Sequence, residues 1–199
     1  MQDRDQDRAW MREGTRLVLE AVDGFGPADW DAASLLPDWR RREVVAHIHL
    51  NAEAMSRLAG WARTGIENPM YPSTERRNRD IAETAELDGE ALRRLVRHSA
   101  EVLEEDLDAL DPDRWEHPVR THRGDTIPAA RIPWIRAREV MTHALDLGTG
   151  LGFADLPPEF TEALVRDVIR LRLRRGEAAT LAAWLTGRGV AGEDLGPWM

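Results

Sequence analysis

The stretch Arg136-Ala137-Arg138-Glu139-Val140-Met141-Thr142-His143-Ala144-Leu145-Asp146-Leu147 decides how this chain is read. As a helix it places Glu139 and His143, four residues apart, on one side, a turn above each other. At roughly 100° per residue, Ile132, Ile135, Val140 and Leu147 fall in the same arc. The face that carries the acid and the imidazole is therefore the apolar face, the one that seeks a core. A carboxylate turned inward is costly unless its charge is compensated. A metal ion is the simplest compensation for an inward Glu beside an inward His.

The rest of the chain supplies helices for that face to pack against. Helical patterns run over about 5–22, from after Asp38 (the expected N-cap) to 62, 74–83, 88–110 and 130–147. Between the last two lies His117-Pro118-Val119-Arg120-Thr121-His122-Arg123-Gly124-Asp125-Thr126-Ile127-Pro128, whose Arg123-Gly124-Asp125 centre reads as a turn with short extended arms. Two further helical stretches follow Pro157, at about 158–175 and 177–186, and Gly187 to Met199 reads as irregular. Four long helices with modest connections predict an all-α, antiparallel four-helix bundle over residues 1–150, with a short C-terminal helical region over 151–199.

Composition narrows the function. With 36 acidic against 27 basic residues the net charge is −9, which argues against a nucleic-acid partner. No apolar run of about 18 residues predicts a membrane span, and the first residues are too polar for a signal peptide. The chain has no cysteine, so disulfides and thiolate ligands are excluded and a cytoplasmic setting is expected.

Of the six histidines, His47 is the one expected to join the pair. On the second helix Val44, Ile48, Met55, Leu58 and Ala62 define the apolar arc. His47 and Asn51 lie roughly 20° to 60° from its centre, and His49 more than about 100° away, so His47 is expected inside and His49 outside. His98, among Arg93, Arg94 and Arg97, is expected at the surface, and His117 and His122 flank the turn. Two histidines and one carboxylate from two helices would leave a zinc ion an open position. Spacing alone keeps plainer readings open: a Glu/His pair four apart is commonly a surface pair, and a lone inward histidine is commonly a satisfied core residue.

Several longer segments carry a family resemblance. They are LLPDWRRREVVAHIHLN (35–51), WARTGIENPMYPSTERRNRDI (61–81), GDTIPA (124–129) and WIRAREVMTHALDLG (134–148). Through them the chain resembles the mycothiol-dependent maleylpyruvate isomerase family, in the DinB-like superfamily of metal-binding helical bundles. The resemblance implies zinc ligands at His47, Glu139 and His143, with mycothiol as thiol cofactor. It also implies a cytoplasmic enzyme, monomeric or a small homo-oligomer, acting on a small-molecule substrate.

The implied reaction is a cis–trans isomerisation of a maleylpyruvate-like keto acid. Zinc would lower the pKa of the bound thiol, and the thiolate would add to the activated C=C bond. Rotation about the resulting single bond and elimination would then return the thiol. Family members carry a second, smaller α/β domain after the bundle; here about 40 residues follow Pro157, so that domain is expected to be reduced. Thr186-Gly187-Arg188-Gly189 resembles the family segment that brings an arginine to the active site, which makes Arg188 the candidate catalytic residue. Arg77 and Asn78 are candidates for binding the thiol cofactor, Asn51 for supporting a ligand, and Trp39, Trp61 and Trp134 for the core. The same site would equally serve a mycothiol S-transferase that conjugates the thiol to an electrophile, or a non-catalytic metal- or thiol-binding module.

Overall fold

The computed structural model describes residues 3–189. The chain forms two compact units, one ending at Leu151 and one starting at Gly152. In the first, α1 spans Arg4–Asp23, α2 Arg41–Thr64, α3 Thr74–Ala85, α4 Gly89–Asp108 and α5 Ile132–Asp146. A two-stranded antiparallel hairpin, β1 (Pro118–Arg120) with β2 (Thr126–Pro128), enters α5 through one 3-10 turn at Ala129–Arg131. This is the predicted turn with extended arms.

The helices start where side chains can satisfy their free amides. Asp3, Ser73 and Asp88 accept from the backbone N–H of Asp5, Arg76 and Ala91. The expected cap of α2 is corrected: Asp38 lies in the turn before it, with φ 64°, and Arg40 is the capping residue. There the Glu43 carboxylate reaches back to the Arg40 N–H at 2.8 Å. Pro133 sits in the first turn of α5, where a missing N–H costs nothing. Gly148, at φ 64°, lets the chain turn away after α5.

Helices α1, α5, α2 and α4 form the four-helix bundle, and α3 packs on the outside of α2. The bundle core holds Val18 and Val22 of α1, Val44 and Ile48 of α2, Leu92 and Val96 of α4, and Val140 and Ala144 of α5. Trp134 is fully buried and meets the edge of Trp10 with ring centroids 5.8 Å apart. Each buried Val, Leu or Ile side chain contributes about 1.5–3 kcal/mol through burial. Gly14 permits α1 to lie close on α5, because a Cβ there would come within 2.5 Å of a Val140 methyl.

Two arginines lock the antiparallel pair α2 and α5. Arg41 donates from Nε to the Leu147 carbonyl (2.7 Å) and from Nη2 to that of Gly148 (3.1 Å), satisfying the C-terminal end of α5. Two turns deeper, Arg136 of α5 donates from Nη1 to the Ile48 carbonyl (2.8 Å) and to Asn51 Oδ1 (2.7 Å) of α2.

The second unit contains α6 (Pro158–Arg174) and α7 (Ala178–Leu185), packed on each other. Its Arg172 pairs with Glu177 at 2.8 Å. Residues 187–189 close α7 as a turn, with the Arg188 N–H on the Ala183 carbonyl. The remainder of the expected irregular tail, 190–199, lies outside the described residues. No helix among the described residues is long and apolar enough to cross a membrane.

Candidate metal centre

Helix periodicity brings His47 of α2 to face Glu139 and His143 of α5, between the Arg41 and Arg136 clamps. His47 Nε2 lies 3.1 Å from Glu139 Oε2, and His143 Nε2 lies 3.5 Å from the same oxygen. One ligand atom from each of the three residues lies within 4.8 Å of the others. The imidazole rings meet edge to face with centroids 4.8 Å apart, and Trp39 covers His47 at 5.8 Å. Both histidines are buried, while the Glu139 side chain keeps 15% of its surface, so one side of the cluster stays open.

A neighbour orients each ring. His143 Nδ1 donates to Asp146 Oδ2 at 2.8 Å, which holds its Nε2 towards Glu139. The Arg77 guanidinium approaches His47 from α3, with Nη2 3.2 Å from Nδ1. A guanidinium can only donate. In this contact Nδ1 therefore accepts, and Nε2 carries the proton given to Glu139. Ligation of a cation through Nε2 needs that proton on Nδ1, so the ring and Arg77 must then separate.

The charges are strongly mutual. Burial alone would raise the Glu139 pKa, yet its hydrogen bonds to His143 and His47 hold it well below the usual carboxylate range. Burial pushes His47 down to about 4. Burial also opposes protonation of His143, but its hydrogen bonds to Asp146 and Glu139 outweigh that and bring it up to about 9. Two imidazole nitrogens and one carboxylate oxygen, with an outer carboxylate on one ring, match the donor set of a divalent-metal site. These residues fit a zinc ion.

The chain can be compared with known proteins on this basis. The mycothiol maleylpyruvate isomerase N-terminal domain family matches residues 11–148. The chain belongs to this family. The crystal structure of the mycothiol-dependent maleylpyruvate isomerase is 36% identical, with a TM-score of 0.81; the match covers 84% of this chain and 70% of that one. A histidine-to-alanine mutant of mycothiol-dependent maleylpyruvate isomerase aligns with the same coverage and TM-score at 35% identity. No curated protein matches. The maleylpyruvate isomerase domain match contains His47, Arg77, Asn78, Glu139 and His143 and ends before Arg188.

His47, Glu139 and His143 come together. Arg77 touches His47, and its Nη1 donates to Asn78 Oδ1 at 3.1 Å, so Asn78 adjoins the arginine and not the cluster. Asn51 is buried and bonded to Arg136. Arg188 belongs to the second unit, where Nη1 donates to the Thr186 carbonyl at 3.1 Å.

His49 corrects the sequence reading: it is buried, 3.6 Å from Glu53 Oε1, and not turned to solvent. Helix α2 packs on α3, α4 and α5 at once, so it is covered on more than one face. A single apolar arc understates its burial. His98 is exposed, as expected, while His122 is exposed and His117 half-buried beside the turn. Asp146 and Arg136 were not singled out from sequence. The signal for Asp146 was its position three residues after His143, on the same helix face.

Proposed function

We propose that this protein is a zinc- and mycothiol-dependent cis–trans isomerase of a maleylpyruvate-like unsaturated keto acid. The observation that carries the proposal is the convergence of His47, Glu139 and His143 with one side open. Family membership supports the choice of thiol and substrate class. Zinc held by these three residues would act as a Lewis acid that favours the thiolate form of the cofactor.

The protein's own groups have separate tasks. Asp146 holds the His143 proton on Nδ1 and leaves Nε2 as a ligand. Glu139 supplies the negative charge that balances the cation. Arg77, once parted from His47, offers a guanidinium beside Tyr71 for the carboxylate or polar groups of a bound thiol. Arg188 would hold a substrate carboxylate in a bidentate manner. The Trp39 ring excludes water from one side of His47. Small molecules are the only partners this reading requires, in a cytoplasmic setting.

The test is one purified sample assayed for metal content and for conversion of maleylpyruvate with and without mycothiol. Stoichiometric zinc, and trans product formed with the free thiol recovered, are expected. Thiol consumed in proportion to substrate would instead make the protein an S-transferase, and no thiol-dependent change would leave a binding module.

A further inference from the structure

The bundle is less tightly closed between α1 and α4 than along its other helix pairs. A cleft of about 570 Å³ opens there, within the size range of small-molecule sites. Its walls include Met11 and Leu19 of α1 and Ala100 and Leu103 of α4, and Arg136 of α5 also lines it. None of the metal-centre residues does.

Arg136 is the unusual element. Its side chain is 1% exposed, and Nη1 is spent on α2, on the Ile48 carbonyl and Asn51 Oδ1. The opposite edge, Nε and Nη2, is buried and has no hydrogen-bond partner among the described residues. That edge is the one with which arginine grips a carboxylate through two parallel bonds. Burial brings the Arg136 pKa down to about 10, so the group remains a cation at neutral pH.

Three of the four carboxylates that line the cleft are committed elsewhere, and the fourth, Glu101, is exposed. Glu104 pairs with Arg12 at 3.0 Å and with Arg8, Asp23 pairs with Arg97 at 3.0 Å, and Glu20 pairs with Arg16. Glu139 is held by the two histidines. The mouth is bridged by ion pairs, part of the walls is apolar, and the donors without a partner lie deep. Glu139 attracts the Arg136 charge, yet Nε and Nη2 have no hydrogen-bond partner, and a buried donor without a partner calls for one.

We propose that the α1/α4 cleft is a second ligand site, separate from the metal centre, that takes a small aliphatic monocarboxylate. The carboxylate lies on Nε and Nη2 of Arg136, and the hydrocarbon tail lies against Met11, Leu19 and Leu103. The site does not depend on the isomerase reading.

Calorimetric titration of the full chain with hexanoate tests it, with hexanol and inorganic phosphate as probes of the tail alone and the anion alone. Hexanoate should bind at least tenfold more tightly than either. The same affinity is expected in a His47→Ala/His143→Ala double variant. Ala100→Trp, which fills the cleft and leaves Arg136 in place, should weaken hexanoate at least tenfold while helicity is retained. Arg136→Met should do the same, and if it fails to fold, Ala100→Trp still decides. The proposal is overturned if hexanoate does not bind, if hexanol or phosphate binds as well, or if Ala100→Trp leaves the affinity unchanged. Loss of binding in the double histidine variant also overturns it, because the acid would then be sitting at the metal centre.

Discussion

His143 Nδ1 donates a 2.8 Å hydrogen bond to the carboxylate of Asp146, three residues further along the same helix. This bond sets which nitrogen of His143 faces Glu139, so it acts on the candidate metal centre through one of the proposed ligands. Asp146→Ala is expected to lower zinc affinity by about 10–100-fold while the bundle stays helical, the usual effect of removing such a support. Competition with a chromogenic chelator measures it. An unchanged affinity would mean that the ring is held by packing alone.

Arg77 places a cation and an obligate donor against His47 Nδ1. Both oppose a metal on Nε2. Arg77→Ala should therefore tighten zinc binding, on the order of tenfold for the loss of one neighbouring like charge. The same variant should weaken mycothiol. Weaker zinc binding in Arg77→Ala would show that the contact supports the ligand instead of competing for it.

The metal-stripped protein should be most stable near pH 6.5. His143 has its folded pKa raised from 6.5 to about 9, so its contribution is complete below 6.5 and is lost as the pH rises through about 9. His47 has its folded pKa lowered from 6.5 to about 4, so its contribution is present above 6.5 and is lost as the pH falls through about 4. Melting temperatures recorded from pH 4 to 10 should rise and then fall. In His143→Ala the alkaline fall should shrink; an unaltered fall would assign it to other groups.

Gly14 lies where α1 meets α5, with the Val140 methyl 2.5 Å from any added Cβ. Gly14→Ala improves helix propensity but overpacks this contact, and should destabilise the fold by about 1–3 kcal/mol. Urea denaturation measures the change. A gain in stability would show that the two helices can part without loss.

Arg188→Ala should keep zinc and reduce turnover at least tenfold if the guanidinium holds the substrate. Metal content and kcat/KM on the same preparation separate the two effects. Unchanged kcat/KM would limit Arg188 to its hydrogen bond with Thr186.

Much of the site was legible before the fold was known. Glu139 and His143 share a face because a helix repeats every 3.6 residues, and His47 lies near the apolar arc of α2 for the same reason. The burial of His49 is not legible from the single apolar arc of α2. In the fold α2 is covered by α3, α4 and α5, and His49 is buried on a second side. The shared role of Arg136 and Asn51 was invisible because neither residue reveals its partner until α5 lies antiparallel to α2.

Periodicity, capping residues and turn glycines are local, so the chain alone determined its helices, its hairpin, the bundle class and the inward set His47, Glu139 and His143. Tertiary structure alone decided that these three meet within 4.8 Å, that Arg77 and Asp146 orient the rings, and that α1 and α4 leave a cleft over a buried guanidinium. Those features depend on distances between helices. Helix separation is set by how side chains far apart in sequence fill the space between them, which no single stretch of sequence encodes.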